Sequence, residues 1–385
     1  MLKIALYWPF FPPISNAPAV RGEAFQKYLS KYAKVLVITP SEGFSSEYYS
    51  EKGREVIKVP SFQRLGHELM PLFLFLWPIL FFRNVRLLAK RRPEILIASI
   101  PPLFMCFEAI LISKLMNIPL IIEIRDDWRV LAGYKKSKIN YFTRYAMVHS
   151  CFRYSHKIFV VTDALKHTLP HKWQNKTHVV GNGVDLARFS LGNNKTRSST
   201  VTHLGSPRKY YGTGRLINGI HRYKKEYGEI SIEFIGSEKD RYVKWVMNKI
   251  RKNGMSKNVV IKEKMQHKDI PKILSKSRIG IGSLAFEEKL RYMLPVKVYE
   301  YMASGLPIIY LGPKGTSLER FMRRYNIGFY CSSSTDFIDK LYQLQNDDVL
   351  WIKCHSNCLK YSRLFDRKRI VIQAYHKHIK DIGEQ

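Results

Sequence analysis

The sequence predicts an α/β chain folded as two doubly wound units, and three observations carry that prediction. Short apolar runs alternate with longer amphipathic stretches along its 385 residues. The runs are continuously apolar rather than alternating, which suits parallel strands covered on both faces. A polar stretch near the middle divides the series into two of similar size, and a chain this long has material for two cores.

In order, the first series of strands is Ile4–Tyr7, Val35–Ile38, Ile95–Ala98, Leu120–Ile122 and Ile158–Val161, with helical patterns over Gly22–Tyr32 and Leu103–Met116 between them. After Val179–Val180 the pattern stops at Gly181-Asn182-Gly183-Val184-Asp185. The polar stretch Gly192–Ser199 reads as the linker. A second series follows: Val201–Leu204, Ile230–Ile235, Val259–Ile261, Ile279–Ile281 and Pro307–Leu311. The last forty residues read as helix, broken near Phe365-Asp366. The expected domains are 1–190 and 198–360, with the closing helix, about 366–385, packing back on the first. Two such domains imply a cleft, and doubly wound sheets bind ligands outside the carboxyl ends of their strands.

Charge is the unusual part of the composition. Lys and Arg number 64 against 31 Asp and Glu, a net charge of +33. It divides as +14 over 1–190 and +19 over 191–385, so it is no tail. An anionic partner is expected: nucleotide phosphates, anionic lipid or nucleic acid. Nucleic acid ranks last, because no basic stripe interleaved with stacking aromatics is present. The five cysteines, Cys106, Cys151, Cys331, Cys354 and Cys358, are odd in number and scattered. That argues against a disulfide framework and against a metal site. The first residues lack a charged leader followed by an apolar core, so a reducing cytoplasm is expected.

Leu69–Phe82 is fourteen apolar residues, two of them proline, flanked by Arg64, Arg83, Arg86, Lys90, Arg91 and Arg92. As a helix it would span about 21 Å, short of the ~30 Å needed to cross a bilayer. Apolar plus basic reads as an in-plane contact with an anionic membrane, made by Phe73, Phe75, Trp77 and Phe81. The alternative is a buried helix of the first domain.

The strongest chemical signal is Pro295-Val296-Lys297-Val298-Tyr299-Glu300-Tyr301-Met302-Ala303-Ser304-Gly305-Leu306-Pro307. It is a short helix with Pro at its start and Gly at its end, running into a strand. Helix N-termini bind anions. Lys297 in the first turn opposes the dipole unless a phosphate lies between them. Glu300 offers a carboxylate suited to ribose hydroxyls; the alternative is an exposed pair on a surface helix.

This run resembles the donor-binding signature of the retaining glycosyltransferases of family 4, which have the GT-B fold, two Rossmann-like domains facing across a cleft. Pro93–Pro102, Arg125-Asp126-Asp127-Trp128 and Asn182-Gly183-Val184-Asp185 are similar to further segments of the family in the same order. The subgroup most resembled builds surface polysaccharides on lipid-linked intermediates. The resemblance implies that Glu300 takes the ribose of a nucleotide-sugar and that amides near Val296–Val298 take the diphosphate. Where the family has a first glutamate, eight positions before the second, this chain has Tyr292; Glu287 and Glu288 are out of register.

The loop Leu204-Gly205-Ser206-Pro207-Arg208-Lys209-Tyr210-Tyr211-Gly212 is the second phosphate candidate. A glycine there lets a ligand approach the backbone. Arg208 or Lys209 is expected to offset the charge of the departing diphosphate; a solvated basic turn is the alternative. Gly236, Ser237 and Lys264, with His267 nearby, fall where the resemblance places the nucleotide. Asn16, Ala17 and Arg21 fall in its loop toward diphosphate and acceptor, where the usual glycine pair is missing. Asp126, just past a strand, would orient or deprotonate an acceptor hydroxyl, or cap the next segment.

The expected activity is therefore transfer of a sugar from a UDP- or GDP-linked donor to a saccharide or polyprenyl-linked acceptor, with retention, at the inner face of the cell membrane. No Asp-x-Asp occurs, which fits transfer without a metal, and no cofactor is expected. A nucleotide-sugar epimerase or hydrolase of the same fold, or a catalytically degenerate transferase-like subunit, are the alternatives.

Overall fold

A computed structural model describes residues 1–14, 16–41, 47–51, 54–59, 70–131, 138–189, 199–238, 240–287 and 290–382. Chain contacts divide it into two compact units, Met1–Asn182 with Lys368–Gln385, and Gly183–Arg367. The expected linker lies almost wholly outside the described residues, as do Leu69 and Glu288.

The first unit holds β1 (Lys3–Tyr7), β2 (Lys34–Pro40), β3 (Glu47–Glu51), β4 (Arg54–Val59), β5 (Ile95–Ile100), β6 (Leu120–Ile124), β7 (Lys157–Val160) and β8 (Thr177–Val179). Their order is β3-β4-β2-β1-β5-β6-β7-β8, and every pair is parallel except β3 with β4. The order reverses direction between β1 and β5, the switch point of a doubly wound sheet. The central strands are buried on both faces, which is why they read as unbroken apolar runs. The helix expected from Gly22 starts earlier, at Ala17, because Asn16 Oδ1 accepts the Ala19 N–H at 2.9 Å and Pro18 suits the first turn. Val371, Ala374, Tyr375, Ile379 and Ile382, from the end of the chain, share one apolar core with Ile4, Leu6, Val37 and Phe159.

Two expectations change here. Cys106 and Cys151 form a disulfide. They are 45 residues apart, and it is the packing of helix Leu103–Met116 on helix Lys138–Tyr154 that joins them, so no local spacing announces the pair. The apolar run is a helix, Met70–Ala89, that continues into its basic flank. Among the described residues no helix is long and apolar enough to cross a membrane. Of Phe73 and Phe75 only the helical backbone is described. Trp77 and Phe81 turn inward. Trp77 stacks on Phe81 at 5.2 Å, meets Phe104 at 5.9 Å, and donates its Nε1–H to Glu108 Oε1 at 2.9 Å. Phe81 is 5% exposed. The face left to solvent carries Ile79, 67% exposed, and Phe82, 61% exposed.

The second unit has β9 (Val201–Leu204), β10 (Ile232–Ser237), β11 (Val259–Glu263), β12 (Ile279–Ser283), β13 (Ile308–Leu311) and β14 (Gly328–Cys331). All pairs are parallel, in the order β11-β10-β9-β12-β13-β14. Its switch point lies between β9 and β12. The turn after Asn182 is fastened within this unit: Val184 N–H donates to Phe365 O and Arg367 N–H to Val184 O, each at 2.9 Å.

Candidate functional site

Three segments converge at the carboxyl end of β9. The chain leaves β9 at Gly205 and leaves β10 through Gly236, with φ of 93° and 96°. Only glycine adopts that backbone without strain. A Cβ on Gly236 would lie 3.6 Å from Gly205 Cα, and one on Gly205 would lie 3.5 Å from Lys297 Nζ. The two loops and the Lys297 ammonium thus share one small region. Tyr301 builds it from below. Its hydroxyl accepts the Leu204 N–H at 2.7 Å and donates to Ile281 O at 3.0 Å, tying helix Val296–Ala303 to both strands of the switch point.

Pro295 caps that helix in extended conformation. Val298 N–H turns back to Pro295 O at 3.1 Å, while the amides of Val296 and Lys297 have no carbonyl one turn earlier to bond. Lys297 is half-buried, faces His203 Nε2 at 3.5 Å, and lies 5.3 Å from the Tyr211 ring centre. Burial lowers its pKa to about 8, against a partial offset from Glu300. Glu300 is 7% exposed, and its Oε1 lies 2.7 Å from His267 Nε2. Burial alone would raise its pKa; the His267 hydrogen bond and the charges of His267, Arg367 and Lys297 outweigh that, so it sits below the usual carboxylate value. His267 is 17% exposed at its side chain and edges the Phe189 ring.

Ser237 is buried at the end of β10, and its carbonyl accepts the Lys264 N–H at 3.0 Å. Lys264 Nζ lies 3.6 Å from Glu238. Ser206 Oγ accepts the Glu238 N–H at 3.2 Å. Arg208 does not stand free in its loop: Nη1 donates to Asp240 Oδ2 at 2.7 Å and Nη2 to Glu238. Lys209 begins the tight turn Lys209–Tyr211 and is exposed. Tyr292 is half-buried, in the position the resemblance gives to glutamate.

In the first unit, Asp126 follows β6 and is exposed, while Asp127 beside it is buried. Asp127 does the local holding. It accepts the Arg129 N–H at 3.0 Å and pairs with the Arg129 guanidinium at 2.7 Å. Asp126 makes no hydrogen bond among the described residues. Crowding by the chain raises its pKa; the Arg125 charge opposes the rise and Asp127 adds to it. Arg125 Nη2 donates to Pro101 O at 3.0 Å.

Arg21 is neither a surface arginine nor, in this arrangement, a phosphate ligand. It is 6% exposed. It donates through Nε to Glu123 Oε1 at 2.5 Å, through Nη1 to Gly181 O at 2.6 Å, and through Nη2 to Val180 O at 2.7 Å. Glu123 is itself fully buried and accepts from Ser99 Oγ at 2.7 Å. The guanidinium spends its fork on the fold because β6 presents a carboxylate that burial obliges it to pair. Asn16 caps the helix and Ala17, next to it, is exposed. The site residues that sequence reasoning missed are His203 and Tyr301. Each acts on a segment some hundred positions away, which leaves no local pattern.

A family model described as Glycosyltransferase Family 4 matches residues 26–188, and one described as Glycosyl transferases group 1 matches residues 198–347. No curated protein matches the chain in sequence. Solved structures match its fold. Sucrose-phosphate synthase from Thermosynechococcus elongatus gives a TM-score of 0.80 at 12% identity over 100% of both chains. Anabaena HepE in complex with UDP-glucose gives 0.71 at 14% identity, over 97% of this chain and 98% of that one. WaaG, a glycosyltransferase involved in lipopolysaccharide biosynthesis, gives 0.67 at 13%, over 96% and 98%.

Proposed function

The chain is a glycosyltransferase of the family 4 type with the GT-B fold, and from that premise we propose that it moves a sugar from a UDP- or GDP-linked donor to a saccharide acceptor on a polyprenyl lipid, with retention and without a metal. The observation that carries the reading is the meeting of Gly205, Gly236 and Lys297 at the carboxyl end of β9. Two open glycine backbones admit a diphosphate, and one ammonium and the start of helix Val296–Ala303 supply positive charge to it. Glu300, already oriented by His267 through Oε1, takes a ribose hydroxyl on Oε2. Ser237 and Lys264 flank the nucleoside.

In the reaction the bond from the anomeric carbon to the diphosphate oxygen breaks, and a bond from that carbon to the acceptor oxygen forms on the same face. The acceptor proton passes to the departing diphosphate. Lys297 and the helix start stabilise the charge that develops there. Asp126, not tied up in capping, orients the acceptor hydroxyl. HepE is solved in complex with UDP and WaaG is involved in lipopolysaccharide biosynthesis, which makes UDP the first nucleotide to test and a lipid-linked acceptor the first class. Ile79 and Phe82, with Arg83 and Arg86, would rest on an anionic membrane at the inner face of the cell.

Calorimetry with UDP, GDP and their sugars tests the donor. A charge-assisted hydrogen bond contributes roughly 1.5–3 kcal/mol, so Glu300→Gln should bind the active donor about 10- to 100-fold more weakly. A folded Glu300→Gln protein with wild-type donor affinity removes Glu300 from the site.

A further inference from the structure

In the loop after β9, Arg208 is committed to Glu238 and Asp240, and Lys209 opens the tight turn Lys209–Tyr211 with its side chain exposed. A further ammonium, that of Lys297, lies 3.5 Å from where a Cβ on Gly205 would stand. It reaches there from another element, past His203. Accepting the donor reading above, we propose that His203 is a positioning residue. Its buried imidazole holds the Lys297 ammonium over the Gly205 backbone, so that Lys297 rather than Arg208 meets the diphosphate.

Four observations converge. His203 is 0% exposed on β9, between residues that are otherwise apolar or bonded, and its ring lies against Phe234 with centres 4.7 Å apart. A buried imidazole in a strand costs desolvation that valine would avoid, unless its nitrogen is used. Its Nε2 is the atom that faces Lys297 Nζ, at 3.5 Å. Burial, and then the Lys297 charge, push its pKa well below the ordinary value. The ring therefore stays neutral, and with its proton on Nδ1 it offers the Nε2 lone pair to an ammonium donor. Lys297 itself needs holding. Its stem is flexible, and its place in the first turn of helix Val296–Ala303 sets its charge against the helix dipole.

The groups facing Lys297 are His203 from β9, the Tyr211 ring from the loop, and Glu300 from its own helix, with His267 and Arg367 beyond Glu300. With its pKa at about 8, Lys297 loses its proton as pH rises through that value. Donor affinity should fall along the same curve, because the diphosphate diester of a nucleotide-sugar keeps its charge throughout.

The test is calorimetry with UDP-glucose and GDP-mannose from about pH 6.5 to about pH 9.5, a span that separates a lowered lysine from an ordinary one. Wild type should show a midpoint near 8. Lys297→Met should bind about 10- to 100-fold more weakly and lose the pH dependence. His203→Gln, whose amide reaches the Nε2 position, should lose less affinity than His203→Asn, which is too short. The Asn variant should lose about tenfold at neutral pH and shift the midpoint downward, since the ammonium has lost an acceptor. Equal affinities and midpoints for the Gln and Asn variants overturn the positioning role. Wild-type binding by Lys297→Met overturns the lysine reading, and a folded wild type that binds neither donor overturns the donor reading itself. If both His203 variants fail to fold, nitrogen-15 NMR of the wild type decides. A His203 Nε2 resonance that moves as Lys297 titrates supports the proposal, and one that does not overturns it.

Discussion

Asp126 and Asp127 are adjacent carboxylates with opposite duties. Asp127 is buried, bonds the Arg129 amide and guanidinium, and so fixes the short helix Trp128–Leu131. Asp126 keeps its carboxylate out of that arrangement with a raised pKa. A group whose folded pKa exceeds its unfolded value adds stability at pH below the unfolded value, and that addition is lost as pH rises through the folded one. At neutral pH the Asp126 charge therefore weighs on the fold, though only slightly, because the residue is exposed and water screens it. Asp126→Asn should raise the melting temperature slightly at pH 7 and gain nothing at about pH 3, below the ordinary aspartate pKa. If Asp126 handles the acceptor hydroxyl, the same variant should lower turnover by about 10²- to 10⁴-fold. Melting curves at both pH values and a donor-saturated rate check the pair; a variant less stable at pH 7 contradicts the sign. Arg125-Asp126-Asp127 was legible in sequence as a motif past a strand, but which aspartate does the holding was not. That depends on rotamers and on Arg129. Arg21 illustrates the same limit, because whether an arginine meets a phosphate or a buried Glu123 is decided by a strand a hundred residues away.

At the scale of elements, strongly apolar runs were readable almost to the residue: the helix Leu103–Met116 and the strand Val201–Leu204, buried throughout, stand where the apolar pattern places them. The β3–β4 hairpin was not, because β3, Glu-Tyr-Tyr-Ser-Glu, is a polar edge strand with no apolar run to betray it. The helix Met70–Ala89 shows a different failure. A segment apolar all round does not say which side its neighbours cover, and here they cover Trp77 and Phe81. Among the described side chains of this helix, Ile79 and Phe82 are the large apolar ones open to lipid. Their burial in lipid should contribute roughly 25 cal/mol per Å², nearly independent of salt, while each flanking Arg adds about 1 kcal/mol that salt screens. Replacing Ile79 and Phe82 by Ser should thus weaken the salt-resistant part of co-sedimentation with anionic liposomes. Trp77→Phe should leave sedimentation unchanged and lower the melting temperature, since Glu108 loses a donor inside the fold. A Ser pair that sediments like wild type at high salt removes this face from any membrane role.

At the scale of the molecule, the first unit is discontinuous. Residues 1–182 are completed by the segment that begins at Lys368, and Tyr375, Ile379 and Ile382 are buried in the core of β1 and β2. Each such side chain contributes about 1.5–3 kcal/mol, and a domain holds only about 5–15 kcal/mol in all. A chain stopped after Arg367 should therefore keep a protease-resistant Gly183–Arg367 and lose resistance over 1–182, read by mass spectrometry of the fragments. Equal resistance of both would show that the tail is dispensable. The same feature sets a timetable. A ribosome releases the eight-stranded sheet early and the segment that completes it only after Gly183–Arg367, so the first half of the chain must wait, with the seat of Tyr375 and Ile379 uncovered, while all of Gly183–Arg367 is made. The unit begun first is finished second.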